Sequence, residues 1–265
     1  MLQIKNTLGG GKSEGSYVWK KYFYFDPAVD AVSWAGGTDE EIVKMVQFAD
    51  KGLINLADYW SVGDERQVTL SRIGATEIEP YFAEQTVTFV LMNAGGKTLA
   101  NATPSGRTEC SFIVGMKNGL AEKRMMDYHS KVWDSCMRRT WCNSSFRNAI
   151  PATLRGIFKQ HLNITADGPD TTTVTSTDYF ALPAEKEVFG QNFKANSTAE
   201  ASLTQFEYYA TEANRIKKQG DGGSAYIWWE RSTHLSYGFC RVMSNGSAEY
   251  DQPPTDYLLS PFGVI

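Results

Sequence analysis

Apolar side chains at helical spacing first appear at Ile42, Met45, Val46 and Ala49, which share one face of a helix expected over residues 38–52. Thr38 and Glu41 supply a capping box, Asp39 and Glu40 favour the positive end, and Gly52 stops the helix. Before it lies an aromatic stripe, Tyr17, Trp19, Tyr22, Phe23, Tyr24 and Phe25, which demands burial. From Trp60 the period changes to two. Val68 and Leu70, then Val87, Phe89 and Leu91, alternate with polar neighbours, and an apolar run covers Phe112 to Val114, so strands are expected. Helical spacing returns over 134–142, with Met137 and Trp141 on one face, and after Pro151, ahead of Leu154, Ile157 and Phe158. A Thr-rich loop near 171–177 leads into short strands, interrupted by one more helix expected near 203–217. There is no βαβ alternation and no internal repeat. An α+β fold with antiparallel pairing is therefore predicted.

Two local patterns carry geometric predictions. Trp228 and Trp229 occupy consecutive strand positions, so they face opposite ways, one into the core and one beneath a covering loop or helix. Around the turn Ser244-Asn245-Gly246, a two-residue loop would pair Val242 with Glu249 and bring a carboxylate beside the core. A three-residue loop with Gly246 left-handed pairs Val242 with Ala248 and Arg241 with Glu249. The second register is favoured. It turns Cys240, Val242 and Ala248 inward and presents Arg241, Met243, Ser247 and Glu249 together to solvent.

Composition narrows the function. The chain has 265 residues, 42% of them hydrophobic, enough for one large domain or two small ones with a proper core. Lys and Arg number 26 against 30 Asp and Glu, a net charge of -4 that gives no basic footprint for nucleic acid. No apolar run reaches the ~18 residues of a membrane span, and the first residues lack a signal-peptide core. Cys110, Cys136, Cys142 and Cys240 are expected as buried thiols, and with His129, His161 and His234 they show no metal-ligand spacing. Gly9-Gly10-Gly11-Lys12-Ser13 lacks the strand, helix and earlier glycine of a phosphate loop and reads as a flexible linker, while Gly220-Asp221-Gly222-Gly223 reads as a surface turn. The N-x-[ST] triplets at Asn101, Asn143, Asn163, Asn196 and Asn245 read as turns. No nucleophile motif is present, so no enzyme activity, cofactor or metal is expected.

The block from Asp178-Tyr179-Phe180-Ala181-Leu182-Pro183 through Ala184-Glu185-Lys186-Glu187-Val188-Phe189 carries a family resemblance, together with Trp228-Trp229-Glu230-Arg231-Ser232 and Ser260-Pro261-Phe262-Gly263-Val264-Ile265. With Arg138-Arg139-Thr140-Trp141-Cys142-Asn143 upstream, these residues resemble the C-type-lectin-fold variable proteins diversified by retroelements in phages and bacteria. The tryptophan-rich segment is also similar to the related fold of formylglycine-generating enzymes. Their oxidase chemistry uses two late cysteines, where this chain has only Cys240. The segments Asn6-Thr7-Leu8-Gly9-Gly10-Gly11 and Gly15-Ser16-Tyr17-Val18-Trp19-Lys20-Lys21-Tyr22 resemble the starts of phage tail proteins.

The resemblance implies an N-terminal attachment segment, 1–59, and a C-type-lectin-like ligand-binding domain, 60–265, with antiparallel strands, two or more helices and long loops. In that family a reverse transcriptase miscopies template adenines, scattering codons over a stretch just before a fixed end. Here the stretch is 233–259. The implied variable surface comprises Thr233, His234, Leu235, Ser236, Tyr237, Arg241, Met243, Ser247, Glu249, Tyr250, Asp251, Gln252, Thr255, Asp256 and Tyr257. Mutating the adenines of AAC or AAT never yields Met, Glu or Gln, so Met243, Glu249 and Gln252 either require another adenine-bearing codon such as AAG or CAA or are not variable positions. Trp141, Trp228, Trp229, Arg231, Cys240, Val242, Gly246 and Ala248 are expected as scaffold.

The function implied is a phage tail receptor-binding protein, with a host-surface protein or glycan as ligand. Its N-terminal segment would meet other tail proteins, and a homo-oligomer would fit a symmetric tail tip. It would be made in the bacterial cytoplasm without a signal peptide and carried in the virion. A non-variable structural virion domain of the same fold, or a formylglycine-generating-type oxidase, are the alternatives.

Overall fold

The computed structural model describes residues 24–74, 81–168, 172–196, 198–234 and 238–265, so most of the early aromatic stripe and both N-terminal resemblance segments lie outside the described residues. Its elements run α1 (Pro27–Asp30), α2 (Asp39–Asp50), β1 (Glu65–Leu70), β2 (Gln85–Ala94), β3 (Phe112–Met116), α3 (Met137–Trp141), α4 (Arg147–Ala149), α5 (Ala152–Arg155), β4 (His161–Ala166), β5 (Thr173–Asp178) and β6 (Phe180–Ala181). They continue as α6 (Glu185–Phe189), β7 (Lys217–Lys218), β8 (Ala225–Tyr226), β9 (Trp228–His234), β10 (Gly238–Val242), β11 (Ala248–Asp251) and β12 (Phe262–Val264). The fold is α+β, with few helices. A five-stranded sheet has the order β1-β2-β3-β12-β6, a second sheet has β11-β10-β9, and β4-β5 and β7-β8 form separate ribbons. These pairings are all antiparallel.

Helix α2 forms as its sequence directs. Thr38 Oγ1 accepts the Glu41 N–H at 3.3 Å while Glu41 Oε2 accepts the Thr38 N–H at 2.8 Å. Its apolar face, Ile42, Met45, Val46 and Ala49, joins the same hydrophobic core as the central sheet, while Phe48 meets the edge of Phe25. Trp34, Trp60 and Phe112 link the two through ring contacts at 5.3 and 6.4 Å.

The helical expectations further on need correction. The helix expected over 134–142 begins at Met137, where Asp127 Oδ2 accepts the Met137 N–H at 2.7 Å, and it runs beyond 142 through a π-helical turn, Cys142–Phe146, into α4. Trp141 is buried between Phe82 and Phe146, whereas Met137 is only half-buried. The π turn places Asn143, read from its triplet as a turn residue, inside a helix. Its amide donates to Asp178 and the Phe180 carbonyl, both at 3.0 Å, and its oxygen accepts the Tyr179 and Phe180 N–H groups.

No helix covers 203–217. Two 3₁₀ turns, Glu207–Ala210 and Glu212–Arg215, stand there instead, followed by β7. Side chains take the carbonyls that a continuing α-helix would need: Asn214 donates to Tyr208 O at 2.7 Å, and Arg215 and Gln205 to Tyr209 O at 3.0 and 3.2 Å.

The tryptophan pair behaves as its spacing requires. Trp228 and Trp229 are both fully buried, on opposite faces of β9. Trp228 donates to Arg215 O at 2.9 Å and stacks near Tyr209, beneath the 3₁₀ turns. Trp229 donates to Arg124 O at 3.1 Å and meets the edge of Tyr257.

Charge lies at the centre of this core. Arg231 forms a two-point ion pair with Glu187 at 2.5 and 3.0 Å and donates to Leu182 O at 2.9 Å. Lys97 bonds the same Glu187 and donates to Asn163 at 3.1 Å, and Asn163 in turn donates to Asp178. All five side chains are buried. Burial alone would raise the Glu187 carboxyl, but Arg231 and Lys97 overcome it and hold the group at about 2.

Two predictions follow from this core. Truncating Trp228 or Trp229 to Ala should cost ~3–5 kcal/mol in urea denaturation. Glu187→Gln should cost about 3–5 kcal/mol at neutral pH, because it leaves two buried cations short of their partner. Since the folded Glu187 value lies below the unfolded 4.5, that contribution is complete above about pH 4.5, and the gap between parent and variant should close as pH falls toward 2.

Candidate ligand-binding face

The β10–β11 hairpin takes the three-residue register. Val242 pairs with Ala248 and Arg241 with Glu249, Met243 N–H donates to Ser247 O at 2.8 Å, and Gly246 has φ +85°. That angle suits glycine because it has no Cβ to clash. Asn245 tightens the turn by accepting from the Ser247 N–H and hydroxyl at 3.1 and 2.7 Å. Phe239, Cys240 and Val242 are fully buried. Ala248 is only half-buried, a correction to its expected inward place, because its side of β11 opens onto a groove.

The partly exposed residues on both faces of the hairpin form linked groups rather than free ends. The Arg241 guanidinium lies 4.8 Å from the Tyr257 ring centroid, bonds the Tyr257 hydroxyl, and pairs with Asp251 at 2.8 Å. Tyr257 donates to Asp251 at 2.6 Å, and burial together with that bond pushes its phenol up to about 12. Glu249 turns toward Lys194 at 3.5 Å. Tyr250 stacks on His234, centroids 3.5 Å apart and 4° from parallel. Burial and the nearby Lys194 lower the His234 pKa, which favours the neutral ring in that stack.

Of the expected surface positions, Ser247, Gln252 and Asp256 are exposed, and His234, Arg241, Met243, Glu249, Tyr250, Asp251 and Thr255 are half-buried. Thr233 and Tyr257 are buried, contrary to expectation. Thr233 lies where β9 is covered on both faces, and its hydroxyl donates to Lys131 O at 3.2 Å. Leu235, Ser236 and Tyr237 lie outside the described residues. Among the expected scaffold, Trp141, Trp228, Trp229, Arg231, Cys240 and Val242 are buried.

Beside the hairpin tip lies a groove of about 660 Å³, unannounced by the sequence. Phe189, Phe193 and Lys194 form one wall, Glu212, Ala213, Arg215 and Ile216 another, and Asn245 to Ala248 the third. Phe193 is 56% exposed and Ile216 38%, and both line this groove. The Arg215 guanidinium lies 5.1 Å from the Phe189 ring centroid, giving the groove a cationic rim. Apolar walls with a few charged groups at the edge suit a ligand that buries part of its own apolar surface.

A family model, described as a domain of unknown function (DUF6273), matches residues 112–256, more than half of the chain and including the whole hairpin. No curated protein and no solved structure matches the chain.

The paired positions Val242 and Ala248, one sealed and one opening onto the groove, should separate in mutation. Val242→Asp should abolish the cooperative melting transition by burying an unpaired carboxylate. Ala248→Asp, on the groove wall, should leave that transition in place with a shift of about 1 kcal/mol or less.

Proposed function

The chain belongs to the DUF6273 family, whose description assigns no activity, and we propose that it is a binding module that presents the outward hairpin face and the adjoining groove to a host-surface protein or glycan. One observation carries the reading: a single strand-turn-strand holds Phe239, Cys240 and Val242 fully buried while Arg241, Met243, Ser247, Glu249, Tyr250 and Asp251 reach the surface at least in part, next to two exposed apolar residues. Such a face can change its outward residues without disturbing the core, since surface substitutions usually shift stability by about 0.5 kcal/mol or less.

The resemblance to retroelement-diversified variable proteins supports a narrower version. In it the scaffold is C-type-lectin-like, the segment 233–259 is the diversified one, and the protein serves as a receptor-binding component of a phage tail. The half-buried Arg241, Tyr250 and Asp251 then act as anchors, and Met243, Ser247, Gln252 and Asp256 are the freest to vary. Thr233 and Tyr257, being buried, belong with the scaffold in this reading.

Two measurements test it. DNA near the gene should carry a near-copy of the codons for roughly residues 233–259 beside a reverse-transcriptase gene, with mismatches at template adenines. Mismatches spread over all four bases would remove the diversification. For the binding face, Phe193→Ala and Tyr250→Ala should each weaken attachment to host cells about thirtyfold, the loss of ~2 kcal/mol typical of an interface anchor, with melting preserved. Folded variants that attach as well as the parent would rule the face out.

A further inference from the structure

Behind the hairpin, on its inward side, Glu185 from α6, Glu230 from β9 and Cys240 from β10 bring a ligand-bearing atom each to within 4.8 Å of one another. All three side chains are fully buried. The β9–β10 pairing makes this meeting possible. Its register shifts between Phe239 and Arg241, which pair with Thr233 and Trp229, so Cys240 faces a bulged segment containing Glu230.

The three groups differ in how well the protein satisfies them. Glu185 accepts the backbone N–H groups of Phe193, Lys194 and Ala195 at 2.8–3.0 Å, mostly through Oε2, leaving Oε1 with one longer bond from Lys194. Glu230 has no hydrogen-bond partner at either carboxylate oxygen. Neighbouring charge makes that worse. Burial drives the Glu230 carboxyl well above its ordinary range, Glu185, Glu200 and Glu187 push it the same way, and only Arg231 opposes them. The Cys240 thiol is raised by burial and by Glu185, Glu230 and Glu200. Burial likewise lifts Glu200, which accepts the Ser232 hydroxyl at 2.6 Å, to about 7.

A buried carboxylate with two bare oxygens, beside a thiol and a second carboxylate, is costly as protein alone. A cation at their centre would satisfy all of them. We propose that Glu185, Glu230 and Cys240 hold a structural divalent transition-metal ion of the zinc class, which pins α6 to the bulge between β9 and β10 behind the ligand-binding face.

One thiolate and two carboxylates suit a borderline ion better than calcium or magnesium, which take oxygen alone. Bonds of about 2.0 Å to oxygen and about 2.3 Å to sulfur put tetrahedral ligand atoms roughly 3.3–3.5 Å apart, so closure needs only small side-chain movements. The fourth position would be taken by a water molecule enclosed with the ion. Binding displaces the protons that burial otherwise keeps on Glu230 and Cys240, and the ion's two positive charges offset the surrounding carboxylates. The site is sealed from solvent, so the ion enters as the chain folds.

The test uses the untagged full chain, refolded with zinc or cobalt and then desalted. Elemental analysis should find one ion per chain. The cobalt form should show thiolate-to-cobalt absorption in the near ultraviolet, which Cys240→Ser abolishes and Cys110→Ser leaves intact. Glu230→Gln should weaken zinc binding by more than the ~10–100-fold typical of losing an outer-shell partner. Should Cys240→Ser fail to fold, the parent refolded in excess chelator decides: a lowered melting temperature upholds the site. Folded parent with less than about a tenth of an equivalent of either metal, a cobalt spectrum indifferent to Cys240→Ser, or a melting temperature unchanged by chelator would overturn it.

Discussion

Arg231 sits where no water reaches it, and its pairing with Glu187 is the interaction on which the remaining elements converge. The guanidinium comes from β9 and the carboxylate from α6. Lys97, just beyond β2, reaches the same carboxylate and passes the network through Asn163 on β4 to Asp178 at the end of β5. Asp178 then collects Trp133, Ser176, Arg139 and Asn143, which ties in the π-helical segment. A buried charge is tolerable only when paired and hydrogen-bonded, so each partner fixes the placement of the next. Arg139, Asn143, Asp178, Glu187 and Arg231 all lie within the segment that the family model matches.

Glu185 and Glu187 show how one short helix serves two sides. Glu187 points to Arg231 and to the Ala184 N–H at 2.8 Å, whereas Glu185 turns to the backbone of 193–195 and to Cys240. Phe193, next to Lys194 in that held backbone, is one of the two exposed apolar residues that line the groove. The interior polar framework and the exposed face therefore share a wall. In the proposed reading, this buried framework behind the hairpin leaves its partly exposed residues open to choice by a partner rather than by stability.

The sequence made some of this legible and hid the rest for definable reasons. The α2 cap, the tryptophan pair and the Val242–Ala248 register depend on local chemistry and strand geometry, and all three are present. The helix written over 203–217 failed because Asn214, Arg215 and Gln205 spend side-chain donors on backbone carbonyls, which no periodicity records. Thr233 enters the expected surface only as the first residue of the stretch 233–259 that the resemblance implies, and it is buried because β9 is covered on both faces. The groove joins Phe193, Ile216 and Gly246 from three separated segments. Glu185, Glu230 and Cys240 meet only through a strand bulge. Neither grouping leaves a spacing that a linear reading could find.

The central claim is that the hairpin and the loop after it combine fixed, buried positions with replaceable, exposed ones. Its most direct test is a library randomised together at Met243, Ser247, Gln252 and Asp256, scored for cooperative thermal unfolding without reference to any ligand. The account predicts that most members melt within a few degrees of the parent, while a matched library at Phe239, Cys240 and Val242 gives few folded members. Comparable losses of folding in the two libraries would contradict it.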